Sequence, residues 1–436
     1  MADAQADEDR QGGLAAAALT IAWLILSTGL PKLAVDRLVG ENLLPSWPLF
    51  AGFYVLAAFA LRHRIARLPI GRADLVLIAT LIGLPIVSSL WSVDRSTSLQ
   101  HGMMFLAAAL VALALAAAPD HAAMRALARA SIITPLLSFS AIVLAPEIGL
   151  EQDGPWTGAW RGLQEQKNSL GAVSALSSLL LLAALLRGNV LARGALVFGI
   201  VANLGLLLGA QSTTAMIVFA LGAAVLVLPR RLLGRAAFGL PAVTIALLAA
   251  VVLLPELTQS LLDLGSRSVG KDATLSNRLP IWNILLPHAQ QRPWLGYGFD
   301  AFWAPAIFPL VEFAKALNFV PSTAHNGFLE TALSLGSVGL LVLLALLGRM
   351  AVNGARGLDR EATQATSRLA LAVLVMAIGL NLTESAFLAR NDRIAVTLLW
   401  LALVAARRAE PPAAVAASDE PADECPAPPP PRLRTV

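Results

Sequence analysis

Cysteine is nearly absent from this chain. Its one copy, Cys425, lies close to the C-terminal end, so no disulfide framework can form. Charge is scarce as well. Only 14% of the 436 residues are Asp, Glu, Lys or Arg, against 57% hydrophobic, and the mean hydropathy is +0.70. That balance excludes an ordinary soluble enzyme. No segment repeats at a fixed period, and spacing alone reveals no Ser/His/Asp nucleophile set. A basic leader is missing too. Residues 1–13 are acidic (Asp3, Asp7, Glu8, Asp9) and no export cleavage pattern follows the first apolar run, which is therefore expected to stay as a membrane helix.

What the chain does have is apolar length. A membrane-crossing helix takes about 17–25 predominantly apolar residues. Twelve runs are predicted to cross: 14–30, 46–61, 73–90, 102–118, 130–148, 169–186, 194–210, 212–228, 237–254, 326–348, 368–383 and 393–406. Several are short or hold Pro85 or Pro135, which bundled membrane helices tolerate when neighbours satisfy the freed backbone. The expected fold is an all-α polytopic membrane protein of about twelve transmembrane helices with one large loop, 255–325. A tail, 1–13, precedes the membrane domain, 14–406, and a second tail, 407–436, follows it; the Pro-, Ala- and acid-rich stretch 411–436 reads as disordered. Gly199, Gly205 and Gly209 predict close helix approach.

Charge predicts the orientation. With the N-terminus inside, 20 of the 32 lysines and arginines fall on the cytoplasmic side, and five of the other 12 lie in the long outer loop. The short gaps follow the positive-inside rule, which puts both termini in the cytoplasm and residues 255–325 outside. The pI near 9.7 is then a topological signal and no pointer to nucleic acid. No outward Asp-x-Asp or His/Cys cluster appears, so no metal is expected; Asp7-Glu8-Asp9 belongs to the cytoplasmic tail.

The polar residues concentrate in and around the long loop. Ser276–Gln290 predicts a short amphipathic helix whose apolar side (Leu279, Ile281, Trp282, Leu285, Leu286) lies along the bilayer surface. Arg278 and Trp282 share one of its faces, and a plain interfacial anchor is the competing reading. His325 is placed in the first turn of the next apolar helix. There the positive helix end and nearby arginines favour the neutral imidazole that a general base needs. Asn326 and Glu330 stand ready to orient a sugar hydroxyl or the imidazole, or to pair with neighbouring helices. Arg161, Lys167, Arg278 and Arg292, with Arg390 and Arg393 near Glu384, supply outward cations. Guanidinium groups grip diphosphate oxygens in a fork, and a polyprenyl diphosphate leaving group needs charge stabilisation without protonation. His63, His101, His121 and His288 are scattered and read as structural or solvated.

Several stretches carry a resemblance in this order: Trp91-Ser92-Val93-Asp94, Gln166-Lys167-Asn168-Ser169-Leu170-Gly171, Gln211-Ser212-Thr213-Thr214, Arg278 with Trp282, Arg292-Pro293-Trp294-Leu295-Gly296-Tyr297-Gly298, His325-Asn326-Gly327-Phe328-Leu329-Glu330 and Gly336-Ser337-Val338-Gly339. Over about Trp91 to Trp400 the chain resembles the O-antigen ligase and polymerase superfamily of bacterial envelope glycosyltransferases. The resemblance implies a GT-C-like bundle in the inner membrane, with an outer loop folded over a periplasmic site. It further implies transfer of a glycan, without metal or other cofactor, from an undecaprenyl diphosphate carrier to an acceptor, either a polysaccharide or a lipid A core. An outward histidine would be the base, matched by His325. Outward arginines would hold the diphosphate, matched by Arg278 and less closely by Arg161; Lys167 is the alternative to Arg161 as the second cation, and Arg292 is a further one. Trp282, Asn326, Glu330 and Glu384 would position substrate. Where many members carry Ser-Arg, this chain has Ser212-Thr213.

Four readings compete. The loop wording favours an exopolysaccharide or O-antigen polymerase; a ligase delivering finished glycan to a lipid A core is the near alternative. A secondary transporter shares the layout of twelve spans, but it should show two similar halves, and the long loop here is off-centre and outside. A purely structural scaffold fits the loop's polar concentration poorly.

Overall fold

The computed structural model describes residues 17–24, several positions between 52 and 66, 68–152, 156–188, 190–229, 231–233, 278–304, 313, 321–390 and 392–407. The described residues form helices: α1 (Arg72–Val87), α2 (Arg95–Ala117), α3 (Asp120–Leu144), α4 (Lys167–Arg187), α5 (Arg193–Gly209), α6 (Thr213–Val227), α7 (Arg278–Gln291), α8 (Gly327–Gly357), α9 (Glu361–Asn381) and α10 (Arg393–Ala405). All but α7 coincide with expected spans. Six helices are long and apolar enough to cross a membrane (α1 with its 3-10 extension to Leu90, α2, α3, α4, α8 and α9), and α5, α6 and α10 are shorter apolar helices. The chain is a multi-pass membrane protein. The runs expected at 46–61 and 237–254 fall largely outside the described residues, as do both tails and most of the outer loop.

Boundaries depart from expectation where polar residues extend a helix. Asp94 caps α2 by accepting from the Thr97 N–H at 3.0 Å, so Arg95–His101 belongs to that helix. Pro119 breaks the chain ahead of α3, which takes in Arg125 and Arg129.

At the centre, α9 packs on α4, α6, α8 and α10. Small residues set the separations. A side chain at Gly222 of α6 would meet Leu179 of α4 at 2.7 Å and the Ala372 carbonyl of α9 at 3.2 Å. Gly199 is closely packed by Ile132 and Leu181, and Trp160 lies against Gly209; Gly205 has only ordinary contact with Phe139.

Helix α8 breaks at Gly336, which has φ +65°. A continuous helix would bond Ser337 N–H to Leu333 and Val338 N–H to Ser334. Instead the Leu333 and Ser334 carbonyls accept from Tyr297 and Gly298 at 2.8 and 3.0 Å, while Ser337 and Val338 donate to Pro293 and Trp294 at 2.7 and 3.2 Å. Backbone from the Arg292–Gly298 stretch thus repairs the helix it interrupts, which is how broken helices survive in membranes. The Trp91–Asp94 stretch grips the other side: Trp91 Nε1 donates to the Leu295 carbonyl at 2.9 Å and Val93 N–H to the Tyr297 carbonyl at 3.0 Å. Both polar groups of the Phe299 peptide are taken by serines, N–H by Ser88 at 3.0 Å and C=O by Ser98 at 2.9 Å.

Helix α7 begins its described course at Arg278; Ser276 and Asn277 lie outside the described residues. Its apolar side, expected along a bilayer surface, meets protein in part. Ile281 and Leu285 are buried in a protein cluster with Tyr297, Phe302, Phe313, Ala324 and Leu333. Amphipathicity alone does not distinguish a lipid surface from a protein one.

Candidate active site

The site forms at the end of the bundle where α4 and α8 begin and α9 finishes. Gly327 opens this junction: a Cβ there would collide with the Asn381 side chain, so only glycine lets the start of α8 approach the end of α9. After α9 the chain continues without regular structure, and its course is set by Asn381, whose Oδ1 accepts from the N–H groups of Ala386 and Phe387 at 2.7 and 2.9 Å. Glu384 sits inside that turn.

The Glu384 carboxylate is the hub. Oε1 accepts from Arg278 NH2 of α7 at 2.6 Å and from Asn168 Nδ2 of α4 at 3.0 Å, and Oε2 lies 3.2 Å from His325 Nδ1. The side chains of Arg278, Glu384 and His325 keep only 10, 12 and 20% of their surfaces exposed, so these charges interact under little screening. A carboxylate at Nδ1 fixes the N–H on that nitrogen and leaves Nε2 as an acceptor.

His325 is held as firmly by its backbone. It stands outside the helix, one residue before the N-cap, where the sequence reading put it in the first turn. Asn326 is the cap, its Oδ1 accepting from Phe328 and Leu329 N–H at 3.0 and 3.1 Å. His325 adopts a left-handed φ of +48°, which costs a non-glycine residue about 1–3 kcal/mol and persists only where the surroundings impose it. They do so here. The preceding peptide is held at both ends: Ala324 N–H donates to Glu330 Oε2 at 2.7 Å, and the Ala324 carbonyl accepts from Trp282 Nε1 at 2.9 Å. Glu330 also accepts from Trp303 Nε1 at 2.5 Å and Ser385 Oγ at 3.3 Å, and Ser385 Oγ accepts from Asn326 N–H at 3.2 Å. The polar groups of Trp282, Asn326 and Glu330 are thus engaged with the histidine's own segment.

The other expected cations part company. Lys167, at the start of α4, is buried and within electrostatic reach of Glu384 and Arg278; its Nζ donates to the Gln211 carbonyl at 3.1 Å and lies 3.6 Å from the centre of the Trp156 ring. Gln211 is another left-handed residue, φ +50°. Arg161 turns to the chain behind it, donating to the Ile148 and Glu147 carbonyls at 2.9 and 3.0 Å. Arg292 is exposed, 5.0 Å from the centre of the Tyr297 ring. Arg393 is buried and donates to Gln164 at 2.9 Å. Asn168 is the residue that sequence reasoning passed over. It stands inside a quoted motif, but an asparagine opening a helix ordinarily reads as a cap. Among the described residues, no three His, Cys, Asp or Glu side chains gather as metal ligands would.

A helical membrane bundle with a histidine, a carboxylate and an arginine joined at the mouth of its helices has the groups for proton transfer beside an anionic leaving group. Two similarities to known proteins bear on its class. The O-antigen ligase family profile matches residues 196–344, a stretch that holds Arg278, Trp282, His325 and Glu330 and stops short of Glu384. The chain is also 26% identical over 276 residues to the "Exopolysaccharide production protein ExoQ" of Rhizobium meliloti (strain 1021). That match covers 60% of this chain and 61% of the relative, so the chain spans about three fifths of the curated protein it resembles. The chain is thus similar to the O-antigen ligase family over residues 196–344 and to an exopolysaccharide production protein over three fifths of its length.

Proposed function

We propose that this protein transfers a glycan from an undecaprenyl diphosphate carrier to an acceptor hydroxyl, with inversion, on the periplasmic face of the inner membrane. We take it to be an exopolysaccharide or O-antigen polymerase. The observation that carries the reading is the bridge: one carboxylate, Glu384, touches both the candidate base and a guanidinium.

In this scheme His325 Nε2 accepts the proton of the acceptor hydroxyl. The hydroxyl oxygen bonds to the anomeric carbon from one face while the carbon–oxygen bond to the diphosphate breaks on the other. Glu384 holds the imidazole in the needed tautomer and steadies the imidazolium. The diphosphate leaves as an anion, with Arg278 and Lys167 nearest to its developing charge. Trp282, Asn326 and Glu330 keep the histidine segment rigid. Arg161 and Arg292 stand further back, as contributors to the basic rim.

His325→Ala should insert into the membrane normally and lower transfer by about 10²–10⁴-fold. Normal glycan output from that variant removes His325 from the reaction. The family description, O-antigen ligase, favours one further reading, ligation, for which we take the acceptor to be a lipid A core. Gel analysis of a deletion strain separates the two: a ladder collapsed to one repeat indicates a polymerase, and full-length polymer stranded on its carrier indicates a ligase.

A further inference from the structure

The same end of the bundle holds a second cluster on a similar plan. His101 Nδ1 lies 3.1 Å from Asp300 Oδ2, which also accepts from Arg390 NH1, and that nitrogen is 3.0 Å from the His101 ring nitrogen. Three stretches meet there: the second turn of α2, the turn after Gly298, and the 382–390 segment that carries Glu384. Asp300 is left-handed, φ +56°, as His325 is. Burial alone would push its carboxyl up, but the His101 hydrogen bond and the Arg390 charge outweigh that and hold it below the ordinary carboxylate range.

The two clusters join the same pair of segments with opposite polarity. The loop segment 278–304 contributes Arg278 to one pair and Asp300 to the other, and the 382–390 segment contributes Glu384 and Arg390. A charge reversal of this kind favours one pairing of the segments, because exchanging partners would set Arg278 against Arg390 and Asp300 against Glu384. The pairs also differ in what substrate does to them. A diphosphate on Arg278 competes with Glu384 for the guanidinium and weakens the first tie. The second tie lies on side chains the transfer scheme does not use.

We infer that Arg390 and Asp300 form a positioning latch that keeps the Arg278 segment seated on the Glu384 segment while Arg278 is engaged by the leaving diphosphate. This inference rests on the transfer scheme above. The test measures chain extension in membrane vesicles, using native lipid-linked repeat units extracted from a strain lacking this protein. Wild type, His325→Ala, Arg390→Ala, Arg390→Lys and the swap Asp300→Arg/Arg390→Asp are run together. Arg390→Ala should lower kcat by about 10–100-fold, the cost of misplacing reacting groups by roughly an ångström. KM for the lipid-linked donor should change little, and Arg390→Lys and the swap should restore most of kcat. If Arg390→Ala matches wild type while His325→Ala is inactive, the latch is refuted and the scheme stands; an active His325→Ala brings down the scheme itself. Should Arg390→Ala fail to accumulate, Arg390→Lys and the swap decide alone, and a swap that folds but stays slow refutes the pairing.

Discussion

The two ends of the bundle spend their charges differently. At the end where α1, α3 and α9 begin, four arginines are tied to neighbouring helices. Arg349 meets the Asp74 carboxylate with both oxygens engaged, at 2.8 and 2.6 Å, and Asn353 joins at 3.2 Å. Arg368 donates to the Leu226 and Leu228 carbonyls at 3.2 and 2.8 Å, capping the end of α6. Arg187 bonds Thr366, and Arg407 reaches Asp120 and the Ala116 carbonyl. These are fasteners, each joining two helices. At the opposite end Arg278 and His325 converge on one carboxylate, Glu384, and His325 is held in a costly backbone conformation. Fasteners lower the energy of the fold, whereas the Glu384 cluster keeps two reactive kinds of side chain close together and partly exposed. That contrast marks the candidate site better than any count of cations, because arginine is common at both ends.

The largest expected effect sets the same substitution at each end. Glu384→Gln should lower transfer by about 100-fold, at the low end of what a positioned acid–base group contributes, with little loss of folded protein. Asp74→Asn should do the reverse, lowering thermal stability in detergent by about 1–3 kcal/mol through a weakened hydrogen-bonded ion pair while leaving transfer per folded molecule unchanged. Equal losses of activity from both would erase the contrast. Next comes Gly336→Ala, which should cost about 1–3 kcal/mol from the left-handed backbone alone, and its Cβ would also strike the Trp294 carbonyl. Faster proteolysis after Arg292 would report loss of the repaired kink; an unchanged digestion pattern would argue that the segment does not depend on it.

A smaller effect concerns acid. A carboxyl whose folded pKa is depressed contributes stability that is complete above its unfolded value, about 3.9 for Asp. That stability drains away as pH falls through the lower folded value. Melting temperature in detergent should therefore drop below about pH 4 in wild type, and less steeply in Asp300→Asn. Parallel acid limbs in the two proteins would show that Asp300 contributes nothing. The smallest effect separates Arg161 from Lys167. Arg161→Ala should change donor KM less than Lys167→Met, since Arg161 already spends two donors on backbone carbonyls. A larger change from Arg161→Ala would reverse that ranking.

Much of this architecture was legible in the order of residues. The apolar runs located nine of the described helices, and His325 and Arg278 stood out as a base and a cation in outward segments. The hub was harder to see. Glu384 lies 59 residues from His325 and 106 from Arg278, and nothing local to it announces that both side chains will reach the same carboxylate. The break in α8 was hidden for a related reason. Gly336 sits within a long apolar run, and its freed hydrogen bonds are met by backbone some forty residues earlier, an exchange that side-chain patterns do not record. Trp282 and Glu330 were noticed as polar groups near a site, yet a polar side chain beside a histidine reads the same whether it faces substrate or the chain itself.

The exchange of backbone partners at Gly336 also bears on the order of assembly. During synthesis residues 293–298 leave the ribosome ahead of their partners at 333–338, and Ser88, Trp91 and Val93 precede both by some two hundred residues. The 293–298 segment therefore has nothing to complete its amide pairing until helix α8 has formed and bent. Maturation of this protein waits on helix α8, and a chain truncated before residue 333 would leave those amides without their native partners.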